Sequence, residues 1–404
     1  KVQGFLGIVS RQQGDMEAAE TCYRRSLEVC RNTGDIVGEA RDLNNLATLL
    51  YYRGKISQAL QLFDQTAAIC YKIKDRHQEA LARSNAASIR SDMLGDDEQA
   101  TSDIEVALAY ARESGDQVIE AHALGTLAEI ARRRGELDKA RGYLEAALAK
   151  SEGIGEQWDS LQLQRILALI ALDAGDAQEA LAQLEAAEAA CQEMGLVDMA
   201  IFLQAMRGKA LWELGEPEDA LAATSAAVDQ LKPGVDQPYL VHFWHAEVLS
   251  ALGRTDEARM ALEWAYQELM AALQGLSPEQ RQMSLERVSE HHAIVKAWQA
   301  IQPRRVSFRL PRDNAPIGRP LRDDEWVEGT WTAEAPEDAT IPGKKARRQH
   351  RLLCLLREAA EQGAIPTVDD LATILEVSPK TIKRDLAALR QAGHDVRTRG
   401  TRGR

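Results

Sequence analysis

Residues 135–140, Gly-Glu-Leu-Asp-Lys-Ala, decide the fold of this 404-residue chain, because their spacing of one glycine and one alanine recurs along it. Six further copies stand in the same register, with successive glycines 38 to 41 residues apart. A fixed period of this length is typical of architectures in which each repeat packs on its neighbours. The glycines are Gly14, Gly54, Gly95, Gly135, Gly175, Gly215 and Gly253, and the alanines are Ala19, Ala59, Ala100, Ala140, Ala180, Ala220 and Ala258.

Each copy predicts two helices joined by a tight turn. Glycine adopts the left-handed conformation that ends a helix at little cost, and an aspartate after it, such as Asp15 or Asp96, is a good N-cap for the next helix. The alanine is small enough for two helices to cross closely. Larger side chains four residues later, such as Tyr23 and Phe63, fall on the same helix face and are expected to be buried.

The pattern resembles the tetratricopeptide repeat, in the forty-residue form found in large bacterial signalling regulators. The resemblance implies an all-α fold whose main part is a tetratricopeptide-type α-solenoid of about seven helical hairpins over residues 1–302. The family's tryptophan and terminal proline are mostly missing, so the copies are divergent. Its first-helix leucine and small-residue positions are filled by Leu6-Gly7, Leu46-Ala47 and Leu127-Ala128.

Residues 277–300 predict a helix that closes the solenoid. Ser277 is a good N-cap, Pro278 suits the first helical position, and Gln280 completes a capping box. Solenoids need such a cap because the last repeat would otherwise expose its apolar side.

Tetratricopeptide solenoids are concave, and the first helix of each hairpin lines the inner surface. This implies a groove for a protein, a peptide or a small inducer, and the alternative is an ordinary solvated face. Asn44 and Asn85 occupy equivalent positions in neighbouring repeats, from which their amides could hold an extended peptide backbone. The side chains expected to face inward are those of Arg41, Asn44, Tyr51, Asn85, His122, Arg132, Arg165 and Trp212.

The formal net charge of −13 conceals a basic C-terminal part. Residues 344–404 contain 14 lysines and arginines against 7 acidic residues, a balance of +7, so the rest of the chain carries −20. An acidic body with a basic tail domain indicates that the tail is the part that approaches a polyanion such as nucleic acid.

Composition and motifs argue against several other classes. The five cysteines form no C-x-x-C pair, which predicts neither a disulfide framework nor a zinc site, and no cofactor is expected. No apolar run reaches the roughly 18 residues of a membrane span, so the chain is predicted to be cytoplasmic. His242 and His245 lack ligand partners at useful spacing, and no phosphate-binding loop is present. The chain is therefore predicted not to be an enzyme.

Residues 303–343 interrupt the helical rhythm and form a connecting segment. Apolar side chains alternate at Val306, Phe308 and Leu310, and a second extended candidate runs over residues 325–332. This pattern predicts a β-hairpin rather than a pure linker.

Residues 344–404 form a compact helical unit. A basic helix begins at Lys344 and stops at Gly363, and Thr367 and Ser378 are good N-caps for two shorter helices. Two short helices separated by a tight turn, the second flanked by cations, are the arrangement that places a helix in the DNA major groove.

The stretch from Thr367 to Gly393, with Thr-Ile-Lys-Arg-Asp-Leu over residues 381–386, resembles the deoxyribonucleoside-repressor (DeoR) type of winged helix-turn-helix. In such domains a recognition helix reads the DNA and a β-wing touches its backbone. Residues 396–404 occupy the wing position here, or form a short arm in the minor groove. That family carries the motif at its N-terminus, before a sugar-phosphate sensor, so sugar-phosphate binding is not implied. The residues implied to bind DNA are Ser378, Lys380, Thr381, Lys383, Arg384, Arg397, Arg399 and Arg402.

These features predict a transcription-regulator fragment whose solenoid senses a protein, peptide or inducer and whose C-terminal domain binds double-stranded DNA. The domain order resembles the signal-transduction NTPase regulators of the maltose-activator class, which implies an NTPase domain upstream. Lys1 falls inside a repeat, as expected if an upstream part is missing. The alternative is a tetratricopeptide adaptor that assembles proteins, with the tail domain as a docking module.

Overall fold

The computed structural model describes residues 2–12, 15–154, 157–232, 235–335, 338 and 341–400. The chain divides into two compact units, Lys1–Lys296 and Ala297–Arg404. None of the described helices has the length and apolar character that crossing a lipid bilayer requires.

The described part of the first unit contains seven helical hairpins, which confirms the predicted all-α solenoid. The third hairpin has a π-helical turn, Arg90–Leu94, at the end of its first helix. The hairpins are α1 (Val2–Gln12) with α2 (Met16–Thr33), α3 (Ile36–Tyr52) with α4 (Ile56–Ile73), α5 (Arg76–Ile89) with α6 (Asp97–Ser114), α7 (Gln117–Arg133) with α8 (Leu137–Ile154), α9 (Gln157–Asp173) with α10 (Ala177–Met194), α11 (Val197–Glu213) with α12 (Pro217–Asp229), and α13 (Pro238–Ala251) with α14 (Thr255–Ala272).

The repeated glycines and alanines have the roles that the sequence predicts. All six described glycines of the motif have φ between 64° and 80°, and Gly14 lies outside the described residues. Six of the seven motif alanines are completely inaccessible to solvent, and Ala258 is 8% exposed. The side chains of Asp15, Asp96 and Asp176 accept hydrogen bonds from the first turn of the next helix. The six described motif turns and the buried crossing points are thus fixed locally.

The segment expected to form one closing helix is divided at Val288. Helix α15 (Pro278–Arg287) begins with the predicted Ser277–Gln280 capping box, and α16 (Ser289–Ala300) follows a residue with extended backbone, ψ 113°. The break buries Val288 and brings α15 to the end of α5, where a Cβ on Gly95 would lie 2.6 Å from Arg287 Cβ. The closing segment therefore packs on the third hairpin. That hairpin is far in sequence from the last repeat, which the segment was expected to cover.

The second unit combines a β-hairpin with three helices around one core. Strands β1 (Arg304–Pro311) and β2 (Trp326–Glu334) pair antiparallel, as predicted, and are followed by α17 (Lys344–Glu361), α18 (Val368–Ile374) and α19 (Pro379–Gln391). Trp331 is buried, and its indole Nε1 donates a hydrogen bond to the Leu355 carbonyl at 2.9 Å. The sequence predicted this β-hairpin as part of a connecting segment, but in the structure it shares one hydrophobic core with the three helices. That core consists of Phe308, Leu310, Trp331, Leu352, Leu355, Leu356, Ala359, Ala364, Leu371, Ala372, Ile382, Leu386, Leu389 and Val396.

The expectation of a β-wing after α19 is wrong for the described residues, which reach Gly400 and contain no strand there. Val396 is buried in the core, and the Arg399 amide donates to the Pro366 carbonyl at 2.8 Å. These contacts hold the described part of the tail against the loop before α18, and residues 401–404 of the predicted wing lie outside the described residues.

Replacing a helical glycine by alanine is predicted to have opposite effects on stability at Gly208 of α11, which α12 approaches closely, and at Gly142 of α8, which has open space around it. A Cβ on Gly208 would overlap the Thr224 methyl group and lie 3.0 Å from the Ala220 carbonyl oxygen, whereas one on Gly142 would meet no atom within 4 Å. Gly208→Ala should therefore lower the free energy of unfolding by about 1–3 kcal/mol. Gly142→Ala should raise it by up to about 1 kcal/mol through helix propensity. Urea unfolding followed by helical circular dichroism measures both, and equal stability of the two variants would contradict the packing described.

Candidate ligand cavity and nucleic-acid interface

The first helices of neighbouring hairpins line a cavity of about 420 Å³ in the solenoid. They are α3, α5, α7 and α9. Phe63 of α4, Asp92 of the π-helical turn, and Asp236 and Gln237 of the loop before α13 also line it. Four of the residues predicted to face inward lie in its wall: Tyr51, Asn85, His122 and Arg165. The repeat register therefore brings together side chains that are more than 110 residues apart in sequence.

One wall of the cavity is a row of hydrogen-bonding side chains on α5 and α7. Ser84 Oγ lies 2.6 Å from His122 Nδ1, and Ser88 Oγ lies 3.0 Å from Thr126 Oγ1. The rings of Tyr51 and Tyr52 meet edge to face, with centroids 5.6 Å apart. Apolar side chains complete the lining: Phe63, Leu81, Ile89, Val118, Ile119, Leu163 and Ile166. An apolar lining with a few placed polar groups is typical of ligand sites.

Arg132, expected to face a partner, is instead buried in an ion-pair network. Its guanidinium lies 2.7 Å from a Glu129 oxygen and 2.6 Å from oxygens of Asp173 and Glu290. Arg133 beside it pairs with Glu129 and with Asp92. Because Glu290 belongs to α16, this network ties the closing segment to the middle of the solenoid.

Three other predicted groove residues lie outside the cavity wall. Arg41 is half-buried and lies 3.4 Å from Asp42, and Trp212 packs beside the apolar cluster of Leu211 and Val248. Asn44 is buried, and its Oδ1 finds no hydrogen-bond partner among the described residues. The equivalence of Asn44 and Asn85 in the repeat therefore does not give them equivalent surroundings.

Sequence reasoning missed Asp92 and Asp236. Asp92 is in the π-helical turn after α5, which shifts the helical register, and burial raises its pKa to about 6 against the attraction of Arg133. Asp236 is in the loop before α13, where the glycine spacing shortens to 38 residues. Both residues lie where the chain departs from the repeat, so the repeat pattern could not predict that they line the cavity.

The second candidate site is the outer side of α19. Lys380, Lys383 and Arg384 are exposed there, and none of the three forms an ion pair with any residue that the structure describes. Ser378 caps the helix, its Oγ accepting from the Thr381 amide at 3.2 Å. Thr381 itself is half-buried. The structure thus brings together five of the eight residues implied to bind DNA.

The inner side of α19 is anchored by a buried carboxylate. Asp385 is 1% exposed and accepts hydrogen bonds from Arg348 Nε at 2.6 Å and from Gln349 Nε2 at 3.2 Å, both on α17. Together with the buried Ile382 and Leu386, this pair fixes which side of α19 faces outward.

The remaining implied DNA contacts are in the tail. Arg397 is exposed and lies 2.9 Å from Asp395. The Arg399 guanidinium donates to the carbonyls of Ala315 and Pro316, so its donors are used within the unit. Arg402 lies outside the described residues.

No group of three or more histidine, cysteine, aspartate or glutamate side chains suited to a metal ion occurs in the part of the chain that the structure describes.

The Arg132–Glu290 contact predicts a pH-dependent stability. Burial alone would raise the pKa of Glu290, but Arg132 and the Ser289 hydroxyl outweigh it and lower that pKa from 4.5 to about 2. The stabilisation is fully present above pH 4.5 and is lost as the pH falls toward 2. Glu290→Gln should therefore lower the free energy of unfolding by about 2–3 kcal/mol at pH 7, with a smaller deficit at pH 3.

Denaturant titrations at both pH values measure this difference, with the exposed Glu286→Gln on α15 as the matched control. A deficit for Glu290→Gln that stays constant between pH 7 and pH 3 would show that the ion pair does not stabilise the closing segment.

Two family models for the tetratricopeptide repeat match the solenoid, over residues 1–72 and 205–272. A third model, described as a protein of unknown function (DUF1670), matches residues 291–403. No curated protein matches the chain significantly.

Solved structures with the same helical architecture are distant in sequence. The apo form of RapI superposes with a TM-score of 0.53 at 14% identity, covering 68% of this chain and 98% of that one. NprR in complex with its cognate peptide NprX gives 0.49 at 12%, covering 72% and 85%. A signal-transduction ATPase with a tetratricopeptide-repeat sensor from Pyrococcus horikoshii gives 0.44 at 16%, covering 70% and 44%. The repeat models and the likeness to RapI establish that this chain carries a tetratricopeptide-repeat solenoid, followed by a small unit of helices and a β-hairpin.

Proposed function

We propose that this chain is part of a transcription regulator in which the solenoid binds a peptide or protein and the C-terminal unit binds double-stranded DNA. The observation that carries the proposal is the outer side of α19. Lys380, Lys383 and Arg384 stand there without counter-ions among the described side chains, on a helix whose inner side is locked to α17 through Asp385.

The chemistry of that side suits a DNA duplex. A helix of this diameter fits the major groove, where arginine can contact guanine through two hydrogen bonds and lysine can contact bases or phosphates. The α19 N-terminus at Ser378 adds backbone amides that favour a phosphate. The excess of seven positive charges over residues 344–404 supplies long-range attraction.

The solenoid cavity supports the sensing part of the proposal. Its volume of about 420 Å³ is in the range of ligand sites and accommodates a short peptide segment. The side-chain amide of Asn85 makes no hydrogen bond to the described residues, so it is available to a peptide backbone.

Reversing charge on α19 tests the DNA-binding part of the proposal. Lys383→Glu with Arg384→Glu should weaken binding to a duplex by on the order of 100-fold, because two contacts are lost and two repulsive charges appear. The logarithm of the wild-type binding constant should fall with the logarithm of salt concentration by roughly 0.9 per phosphate contacted. Fluorescence anisotropy of a labelled duplex measures both quantities.

Lys72→Glu with Arg259→Glu is the matched control, since it makes the same charge change at exposed positions of the solenoid. The control should bind like the wild type. If the α19 double variant binds DNA as tightly as the control, α19 is not the DNA-binding surface. If the wild type fails to bind at low salt, the adaptor alternative is the better account.

A further inference from the structure

Some of the acidic side chains that line the solenoid cavity are paired with arginines, and one is not. Asp92, Glu129, Arg165 and Asp236 line it. Asp92 lies 3.3 Å from an Arg133 nitrogen, and Glu129 lies 2.7 Å from Arg132. Asp236 has no such partner, because no described lysine, arginine or histidine lies within ion-pair distance of its carboxylate.

The ion-pair network behind the wall adds to the negative charge. Arg132 and Arg133 are shared among more carboxylates than they can neutralise. With the cavity wall included, four arginines (Arg132, Arg133, Arg134, Arg165) accompany six carboxylates (Asp92, Asp97, Glu129, Asp173, Asp236, Glu290), so negative charge remains in excess. A concave site with walls of this sign concentrates cations.

Arg165 does not remove this excess. Its Nε donates to Gln162 Oε1 at 3.3 Å, and its guanidinium lies over the Phe202 ring, 5.6 Å from the ring centroid. The Asp236 side chain is exposed to solvent, and no described residue forms an ion pair with it. Asp236 is thus a carboxylate that lacks a close counter-ion.

Two tyrosine rings share the cavity with the Asp236 carboxylate. Tyr51, Tyr52 and Asp236 all line this cavity, and the two tyrosine rings meet edge to face with centroids 5.6 Å apart. Tyrosine rings attract an ammonium or a guanidinium through their faces, and a nearby carboxylate strengthens the attraction.

We propose that the cavity selects a peptide through a compact cationic group, an ammonium or a guanidinium, bound between Asp236 and the rings of Tyr51 and Tyr52. The inference rests on the proposed function of the cavity as a peptide site. It makes the ligand a basic peptide, and it gives Asp236 the role of the specificity-determining residue.

Selection from a random hexapeptide library tests the inference on the full chain. Peptides retained by the protein are separated from unbound ones and sequenced by mass spectrometry. Lysine or arginine should be enriched at one position about 5-fold or more over the input. Asp236→Asn should abolish the enrichment, and Asp138→Asn, an exposed aspartate on α8, should leave it unchanged.

A second pair of variants separates the ring from the hydroxyl. Tyr51→Phe should keep the enrichment because the ring face remains, and Tyr51→Leu should reduce it. Replacing the enriched arginine of a selected peptide by citrulline, its neutral analogue, should weaken binding about 10-fold.

Each remaining outcome overturns one or both proposals. Retained peptides without basic enrichment, or with an enrichment that survives Asp236→Asn, would overturn the cationic selectivity while leaving peptide binding in place. Retention of no peptide by the wild type would overturn both the selectivity and the peptide-binding part of the proposed function.

Discussion

The close crossing of two helices at a buried alanine is the constraint on which the solenoid depends. At each motif alanine a larger side chain would push the two helices of a hairpin apart, and each of the six described motif glycines fixes the turn that lets the second helix return. Because the same constraint recurs about every forty residues, the first helices of successive hairpins face the same side. The cavity is a consequence of this repetition, since α3, α5, α7 and α9 contribute its wall from equivalent positions.

Periodicity predicts which side of a helix faces inward, but it cannot predict what else packs there. The glycines, the N-capping aspartates and the seven hairpins follow from local physics and could be read from the sequence. The burial of Arg132 could not, because one of its partners is Glu290, which is 158 residues away and follows a helix break at Val288. No glycine or proline marks that break. Asp92 and Asp236 were missed because the π-helical turn and the loop before α13 depart from the repeat.

The C-terminal unit shows the same division between local and long-range information. The caps at Thr367 and Ser378 and the bounds of α18 and α19 follow from sequence, as does the β-hairpin. The packing of that hairpin on α17 does not follow, because Trp331 meets Leu355 only in the folded unit. Charge alone also misled the prediction for Arg399. It was expected to contact DNA because it lies in a basic tail, but its guanidinium donates hydrogen bonds to two backbone carbonyls of the same unit.

The most direct test of the account is hydrogen–deuterium exchange on the full chain, with and without a saturating DNA duplex. If α19 lies in the major groove, protection should appear over residues 378–391 and leave the helical hairpins of residues 2–272 unchanged. Protection confined to the solenoid, or none in α19 at full occupancy, would contradict the assignment of the C-terminal unit as the part that binds DNA.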